Sequence, residues 1–356
     1  MKWNRLFTHH PFFIRLFNWE YWSSHAVFGP AYCLVVLLII RSRFRYFFSA
    51  ANPTIKNGGF LMEEKQHIYP LIPEQFYPAY FFVKQGTAID RVEQQFMQSG
   101  FGFPLIVKPT VGLQGKAVKK VNNLHELLHY ASLCTVDFMV QQFSLYSQEV
   151  GIFYHRIPGE AKGTVTGIVA KEPMKVTGDG VSTLYELICE VPRYILQMNQ
   201  LKRIYSKVFL HVLPKGEEVI LVPYGNHARG SKFLDWTEKA DNAFIESMDQ
   251  VCRQINGFYY GRLDIMYSDW EDLRNGKNFH IIELNGAGSD PTHMYDPKHS
   301  VFFAWKEIIK HWLILYRISK LNHKMGVPYL SWKEGVAMFK ANNELVKMLD
   351  AFGEKI

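Results

Sequence analysis

The pattern of apolar and polar residues separates an apolar N-terminal stretch from a longer part with mixed periodicity. Residues 26–40, AVFGPAYCLVVLLII, carry no charge and predict an apolar helix. From residue 103 onward, short apolar runs such as FPLIVKP and DFMVQQF alternate with amphipathic stretches such as VNNLHELLHYA, which predicts strands interspersed with helices. From about Val301 to Phe352 the pattern is helical. We therefore expect an α+β fold with an apolar N-terminal helix and C-terminal helices.

The apolar stretch has the flanks of a membrane-associated segment. Its fifteen residues would rise about 22 Å as a helix, less than the roughly 30 Å hydrocarbon core of a bilayer. Aromatic residues precede it and arginines follow it, as in interfacial anchors: Trp19, Tyr21, Trp22, Arg41, Arg43 and Arg45. A short tilted span, a monotopic or re-entrant helix and a buried core helix all remain open, whereas a cleaved signal peptide fits poorly. We expect membrane contact through residues 19–45, with the rest of the chain at the cytoplasmic face.

Composition narrows the functional classes. Charged residues make up 21% and hydrophobic residues 48% of the chain, which is typical of a globular protein. The net charge is +7, but the excess forms no long basic run, so we expect no nucleic-acid partner. The four cysteines are far apart and form no CxxC pair, which argues against a zinc site or a disulfide framework and fits a reducing compartment.

Four polar residues stand on two predicted strands near the end of the mixed region. Arg262 and Asp264 alternate on one face of RLDIM, and Glu283 and Asn285 do the same in IIELN. Two carboxylates and an amide oxygen form a hard oxygen cluster that suits Mg²⁺, while the arginine suits phosphate oxygens. The alternative is an ion pair across a surface hairpin. The following Gly286 allows close backbone approach and favours the site.

A second candidate lies in FPLIVKPTVGLQGKAV. Lys108 ends an apolar strand, where a charge is costly without a partner such as a phosphate. Gly112 and Gly115 predict a loop whose N–H groups cover phosphates. The alternative is a lysine beside an ordinary hairpin turn. The chain has no Walker A motif and no GxGxxG, so a nucleotide would need another device.

The order of these motifs resembles the ATP-grasp superfamily. RLDIM…IIELNGAGSDPTH is similar to D-alanine–D-alanine ligases, and AKEPMKVTGDGVSTLYELI resembles cyanophycin synthetases and bifunctional glutathione synthetases. The likeness spans roughly residues 62–296, and order and spacing make it specific. It implies an ATP-grasp fold, in which two α/β subdomains clamp ATP.

The resemblance implies a role for each matching residue. Lys65 and Lys108 would contact the phosphates of ATP, with Lys65 on the α-phosphate side. Gln141, in a hinge near 138–143, stands where relatives often carry Glu beside adenine, and Glu149 falls at a ribose-binding position. Asp264, Glu283 and Asn285 match the magnesium ligands, and Arg262 matches the phosphate-stabilising arginine.

Two further positions concern the reacting groups. Lys171 resembles a basic residue that meets the terminal phosphate in cyanophycin-synthetase-like members, with Lys175 as a competing candidate. The polar segment 225–235 lies where those relatives have a phosphate or substrate loop. His227 and Arg229 in it would bind an acyl phosphate or a substrate carboxylate. The alternative is a solvated turn with a lone histidine.

These elements predict a membrane-associating segment at 1–46, a reduced region at 47–100, an ATP-grasp domain at 101–300 and a helical segment at 301–356. The reduced region is too short for the Rossmann-like domain that typical members carry. We expect an ATP- and Mg²⁺-dependent ligase that activates a small-molecule carboxylate as an acyl phosphate for an amine or thiol. The alternatives are a phosphotransferase and a non-catalytic, membrane-associated nucleotide-binding protein.

Overall fold

The computed structural model describes residues 9–112, 115–222, 225, 227 and 230–353. Its α-helices are α1 Pro11–Phe17, α2 Ser24–Arg41, α3 Lys65–Ile68, α4 Ile89–Ser99, α5 Leu124–Leu133, α6 Leu184–Cys189, α7 Pro192–Ile195, α8 Met198–Tyr205, α9 Asn242–Gln254, α10 Trp270–Arg274, α11 Val301–Lys324 and α12 Trp332–Gly353. Its strands are β1 Tyr80–Val83, β2 Leu105–Pro109, β3 Lys119–Val121, β4 Phe138–Gln142, β5 Gln148–His155, β6 Thr164–Glu172, β7 Met174–Thr177, β8 Glu218–Val222, β9 Lys232–Asp235, β10 Tyr260–Tyr267 and β11 Phe279–Asn285. The predicted α+β class is confirmed.

Contacts divide the chain into two compact units. The smaller unit comprises Met1–Cys33, Val169–Thr237 and Pro291–Ile309, and the larger unit comprises Leu34–Ile168, Glu238–Asp290 and Lys310–Ile356. Each unit is assembled from segments distant in sequence. The boundaries predicted at 46, 100 and 300 divide the chain by expected function and not by contacts. They stay predictions.

One sheet of the larger unit has the order β1-β4-β2-β3 and is antiparallel at every pairing. Its apolar face packs on α4 and α5 around Leu105, Val107, Val140 and Tyr130, all 0% exposed. A side chain that faces away from this core, such as Gln141, is available to a site.

The second sheet of the larger unit places β10 between β5 and β11. Register sets Arg262 opposite Asn285 and Asp264 opposite Glu283. The next pair is Ile265 with Ile281, so a bulge leaves Ile282 outside the ladder. The Ile282 carbonyl accepts from the Tyr69 hydroxyl and from Lys108 Nζ. The two predicted strands therefore pair as expected, with α10 inserted between them.

The smaller unit contains a two-stranded β7-β8 sheet and the pairing of the end of β6 with β9. A capping box starts α6, because the Thr183 hydroxyl accepts from the backbone of Glu186 while the Glu186 carboxylate accepts from the backbone of Thr183. Met174, Leu184 and Leu201 form the core beside this helix.

The predicted apolar helix forms as α2. It is the one helix of the described part of the chain that has the length and composition of a membrane span, and 17% of that stretch is buried. Pro30 lies inside it. A single such helix near the N-terminus is weak evidence of a span.

Candidate functional site

The predicted metal ligands meet on β10 and β11 in the larger unit. Arg262 donates to both carboxylate oxygens of Asp264, from Nε and from a terminal nitrogen, at 3.0 Å each. The Asn285 amide donates to the same carboxylate at 3.3 Å. The Asp264 side chain is 4% exposed and that of Arg262 17%, so this pair is buried and the alternative of a surface ion pair does not describe it.

Both predicted lysines reach the same corner. Lys65 Nζ lies 3.7 Å from a carboxylate oxygen of Glu283. Lys108 Nζ donates to the carbonyl of Ile282 at 3.0 Å and to the Tyr69 hydroxyl at 3.2 Å. Burial lowers the pKa of Lys108 to about 8, although the charge of Glu283 opposes the shift. Two buried ammonium groups therefore stand beside Glu283, where they can bind an anion.

Backbone pairing fixes the position of Lys65. Its N–H donates to the carbonyl of Thr110 at 2.8 Å, and Glu64 forms a bridge with Val111. Gly112 follows directly. A Cβ added to Gly112 would lie 2.5 Å from Lys65 Nζ and 3.2 Å from a Glu283 oxygen. The loop backbone therefore passes close over the charged corner, as the glycine pattern predicts.

The structure places the other residues predicted to contact the nucleotide as follows. Gln141 is 2% exposed, and its amide donates to the Tyr69 hydroxyl at 3.1 Å. Glu149 stands opposite Met266 in the β5–β10 register, two residues along β10 from Asp264, and so on the same face of the sheet. Gly115 adopts a φ of 73°, while Leu113 and Gln114 lie outside the described residues.

The segment NPTIKNGG supports this site through contacts that the sequence did not predict. Asn52 is 0% exposed. Its amide donates to the carbonyls of Gly58 and Tyr260 at 2.8 and 2.9 Å, and its oxygen accepts from the N–H groups of Tyr259 and Tyr260 at 2.8 and 3.0 Å. The start of β10 is thereby tied to this loop.

The same loop also forms hydrogen bonds with the turn that follows the predicted metal ligands. Ala287 N–H donates to Gly58 at 3.1 Å, and Gly288 N–H donates to Gly59 at 2.8 Å. Gly58 and Gly59 have φ values of 66° and 74°, and a Cβ on Gly59 would lie 2.6 Å from the Cα of Gly286. Only glycine allows this approach. We name Asn52 together with Gly58–Gly59 the NGG clamp; its asparagine is Asn52, not the Asn57 that directly precedes the two glycines.

Glu63 is a second residue that sequence reasoning missed. Its carboxylate accepts from the backbone of Gly286 and lies among Glu283, Lys65 and Arg262, and burial followed by the charge of Glu283 raises its pKa to about 8. One of its oxygens is buried without a hydrogen-bond partner among the described atoms. The pair of glutamates directly before Lys65 was the available sequence signal.

The donor chemistry of this corner fits a magnesium–nucleotide complex. Asp264, Glu283 and the Asn285 amide supply the oxygen ligands that Mg²⁺ prefers. Lys65, Lys108 and the close backbone of Gly112 supply cations and an open approach for phosphates. Among the described residues no group of three or more His, Cys, Asp or Glu side chains is placed to hold a metal ion, so the candidate ligands here are two carboxylates and one amide.

The predicted acceptor-side residues lie in the smaller unit. Lys171 is in β6, opposite Phe233 of β9. His227 lies 3.0 Å from a carboxylate oxygen of Glu20 and stacks on Tyr21, so it is not a lone solvated histidine. Arg229 lies outside the described residues. Arg193 completes this cluster with two hydrogen bonds to Glu20 at 2.8 and 3.0 Å.

Two curated proteins are similar to this chain. Cyanophycin synthetase from Synechocystis sp. is 26% identical over 228 residues, which cover 58% of this chain and 25% of that protein. The glutathione biosynthesis bifunctional protein GshAB from Clostridium perfringens is 26% identical over 137 residues, covering 34% of this chain and 18% of its own length. The chain thus spans a quarter or less of either relative.

Solved structures align more weakly. A bifunctional glutathione synthetase from Pasteurella multocida gives a TM-score of 0.38 at 15% identity, over 72% of this chain and 38% of that chain. D-alanine–D-alanine ligase from Bacillus anthracis gives 0.40 at 13% identity, over 74% and 69%. No protein-family model matches the chain. The resemblance to cyanophycin synthetases and bifunctional glutathione synthetases that the sequence predicts is confirmed by the two curated relatives.

Proposed function

We propose that this protein is an ATP-grasp ligase that uses Mg-ATP to join a carboxylate to an amine. The observation that carries the proposal is the corner where Lys65, Lys108 and Arg262 converge with Asp264 and Glu283. Such a set neutralises a polyphosphate and holds hard cations. The ligase reaction needs no side-chain nucleophile, because catalysis rests on positioning and charge neutralisation. The similarity to cyanophycin synthetase and GshAB supports this reaction class.

The reaction would proceed in two displacements. A carboxylate oxygen of the first substrate attacks the γ-phosphorus of ATP, the bond to the β-phosphate oxygen breaks, and ADP leaves. The amine nitrogen then attacks the acyl carbon, phosphate leaves with its oxygen, and the nitrogen loses a proton. Bound Mg²⁺ would neutralise charge on the transferring phosphoryl group.

The chain's own residues would hold this chemistry in place. Lys65 and Lys108 bind phosphate oxygens, and Arg262, locked by Asp264, presents a fixed charge to the transferring group. Gln141 and Glu149 contact the nucleoside. The NGG clamp keeps the turn after Asn285 in register with β10. Lys171, His227 and Arg229 would act on the acceptor side.

Membrane association and a cytoplasmic location of the site also belong to this proposal. Their support is the exposed apolar surface of α2 and the arginines that follow it. ATP and reducing conditions are found on the cytoplasmic side, which fits four cysteines without a disulfide.

An ADP-release screen tests the ligase. Purified full-length protein with Mg-ATP would be offered pairs of amino acids and small carboxylates, and products would be identified by mass spectrometry. We expect ADP release that needs both substrates and yields an amide. A stable phosphoester product would instead establish a phosphotransferase. Nucleotide binding without ADP release under every mixture would overturn catalysis, with Glu283→Gln as the inactive control.

A further inference from the structure

The helix α2 is apolar on two opposite faces, which an ordinary surface helix is not. Val27, Ala31 and Leu38 are 2%, 3% and 5% exposed. At 100° per residue these positions form one stripe. Within the smaller unit, the Trp305 indole donates to the Val27 carbonyl at 3.0 Å, and within the larger unit Leu38 packs in the cluster of Phe47 and Leu315. One face of α2 is therefore held by protein.

The opposite face is apolar and open. Tyr32, Val36 and Ile40 are 45%, 54% and 48% exposed, and Leu37 beside them is 58% exposed. On the helical wheel Tyr32, Val36 and Ile40 lie roughly opposite the buried stripe, and Leu37 lies at the flank of this open face. A soluble protein normally places polar residues on such a face, yet residues 26–40 contain no charged residue.

Charge at the end of the helix indicates what covers this face. Arg41, Arg43 and Arg45 are all exposed, and Phe44 between them is 62% exposed. Basic side chains next to exposed aromatic and aliphatic ones match a bilayer with anionic headgroups. A second copy of the chain is a poorer match, because a self-association face gains nothing from three like charges at one edge.

Geometry separates lying in the membrane from spanning it. The 18 residues of α2 rise about 27 Å, close to the roughly 30 Å core, so length alone permits a span. A spanning helix, however, would need lipid or other membrane helices around its whole circumference. Here Val27 is already packed within the smaller unit and Leu38 within the larger unit. We propose that α2 is an interfacial, monotopic helix that lies in the plane of an anionic bilayer with Val36, Leu37 and Ile40 in the lipid.

This inference rests on the membrane contact in the proposed function and is independent of ligase chemistry. Vesicle flotation of the full-length protein tests it, with phosphatidylcholine vesicles that contain or lack phosphatidylglycerol. We expect flotation with the anionic vesicles and roughly tenfold weaker partitioning for Leu37→Glu, because the lipid-facing surface gains a charge. Met97→Glu on α4 is the matched control, since Met97 is 63% exposed, and it should float like the wild type. ADP release should persist in Leu37→Glu, which separates loss of the membrane contact from loss of the enzyme.

Cys33 reports the depth of the helix, because it is exposed near the middle of α2. In a Cys134→Ser, Cys189→Ser background, a fluorophore on Cys33 should be quenched better by shallow than by deep brominated lipids. Stronger quenching by deep bromines would overturn the in-plane orientation in favour of a span. No flotation, together with concentration-dependent dimers abolished by Leu37→Glu, would assign the face to a second copy and overturn the proposal.

Discussion

The two clusters that contain the predicted functional residues differ in what satisfies their charges. In the larger unit, Lys65 and Lys108 stand close to Glu283, and the neighbouring Glu63 has a pKa raised to about 8, which favours its neutral form near neutral pH. In the smaller unit, His227 and Arg193 already share the carboxylate of Glu20, whose side chain is 6% exposed. The first cluster has electrostatic capacity for an anionic ligand. The second resembles a completed structural network. If His227 binds the acceptor, either Glu20 releases it or Glu20 itself forms part of the acceptor site.

The strongest test of this contrast is the loss of a metal ligand. Glu283→Gln should reduce ADP release roughly 100-fold to 1,000-fold, since it removes a charge at the site of phosphoryl transfer while 39% of the side chain is exposed and the fold should survive. Steady-state ADP release and a thermal melt would measure both effects. Asp264→Ala does not separate activity from folding. It leaves the buried Arg262 without its carboxylate partner, which costs about 3 to 5 kcal/mol of stability. Unchanged turnover in Glu283→Gln would contradict the assignment.

The close approaches of glycine should matter next. Gly112→Ala should weaken ATP binding about tenfold, because its Cβ displaces the Lys65 ammonium. Gly102→Ala is the control, since a Cβ there meets open space. Equal ATP dissociation constants for the two variants, measured by calorimetry, would remove the role of the loop.

The NGG clamp allows a matched comparison of the same kind. Gly59 and Gly86 share a φ of 74°, but only at Gly59 does a Cβ meet backbone. Gly59→Ala should therefore cost more stability than the roughly 1 to 3 kcal/mol that the conformation alone explains, and it should weaken Mg²⁺ dependence. Gly86→Ala should show the conformational cost with normal Mg²⁺ dependence. If both variants behave alike in urea unfolding and in Mg²⁺ titration, the clamp does not position the metal ligands.

Lys108 should make ATP affinity depend on pH. Its pKa of about 8 in the free protein should rise when phosphate binds, so binding takes up a proton and affinity falls as pH increases above about 8. With one proton taken up, the affinity can fall by at most about tenfold per pH unit. Lys108→Arg should show a shallower decline, because arginine stays charged over this range. ATP affinity would be measured for both proteins from about pH 7.5 to about pH 9.5. If affinity declines equally with pH in the two proteins, Lys108 does not contact the phosphates.

The smallest effect is expected from the smaller unit. Burial raises the pKa of Glu20, but the hydrogen bond from His227 and the charge of Arg193 outweigh it and lower the pKa overall. The stability from this group is therefore present above the unfolded pKa and lost as pH falls through the folded one. Glu20→Gln should cost about 1 to 3 kcal/mol in denaturant unfolding while ATP affinity stays unchanged. Glu160→Gln, which breaks an exposed pair with Arg317, should cost almost nothing.

The pairing of the two strands that contain the predicted metal ligands could be predicted from short sequence spacing. The alternation of Arg262 with Asp264, and of Glu283 with Asn285, follows from the two-residue period of a strand, and the structure places all four in register. Lys108 was visible as a charge at the end of an apolar strand. Each of these signals lies within a few residues of sequence, so it can be recognised without knowledge of the fold.

Contacts between distant segments were not predictable in the same way. Asn52 bonds Tyr260 across 208 positions, and Glu20 meets His227 across 207. Neither pairing leaves a local pattern, because asparagine in a loop and glutamate beside tryptophan each fit many environments. The open face of α2 was likewise invisible, since an apolar run does not reveal which side the protein covers.

Calorimetric titration with a non-hydrolysable ATP analogue, with and without Mg²⁺, tests the central claim most directly. The account predicts that the wild-type protein binds the analogue much more tightly when Mg²⁺ is present. The Glu283→Gln, Asn285→Ala double variant, which keeps the buried Arg262–Asp264 pair, should lose that Mg²⁺ dependence while it stays folded. Equal Mg²⁺-dependent binding by the folded double variant would contradict the placement of the nucleotide site at Asp264, Glu283 and Asn285.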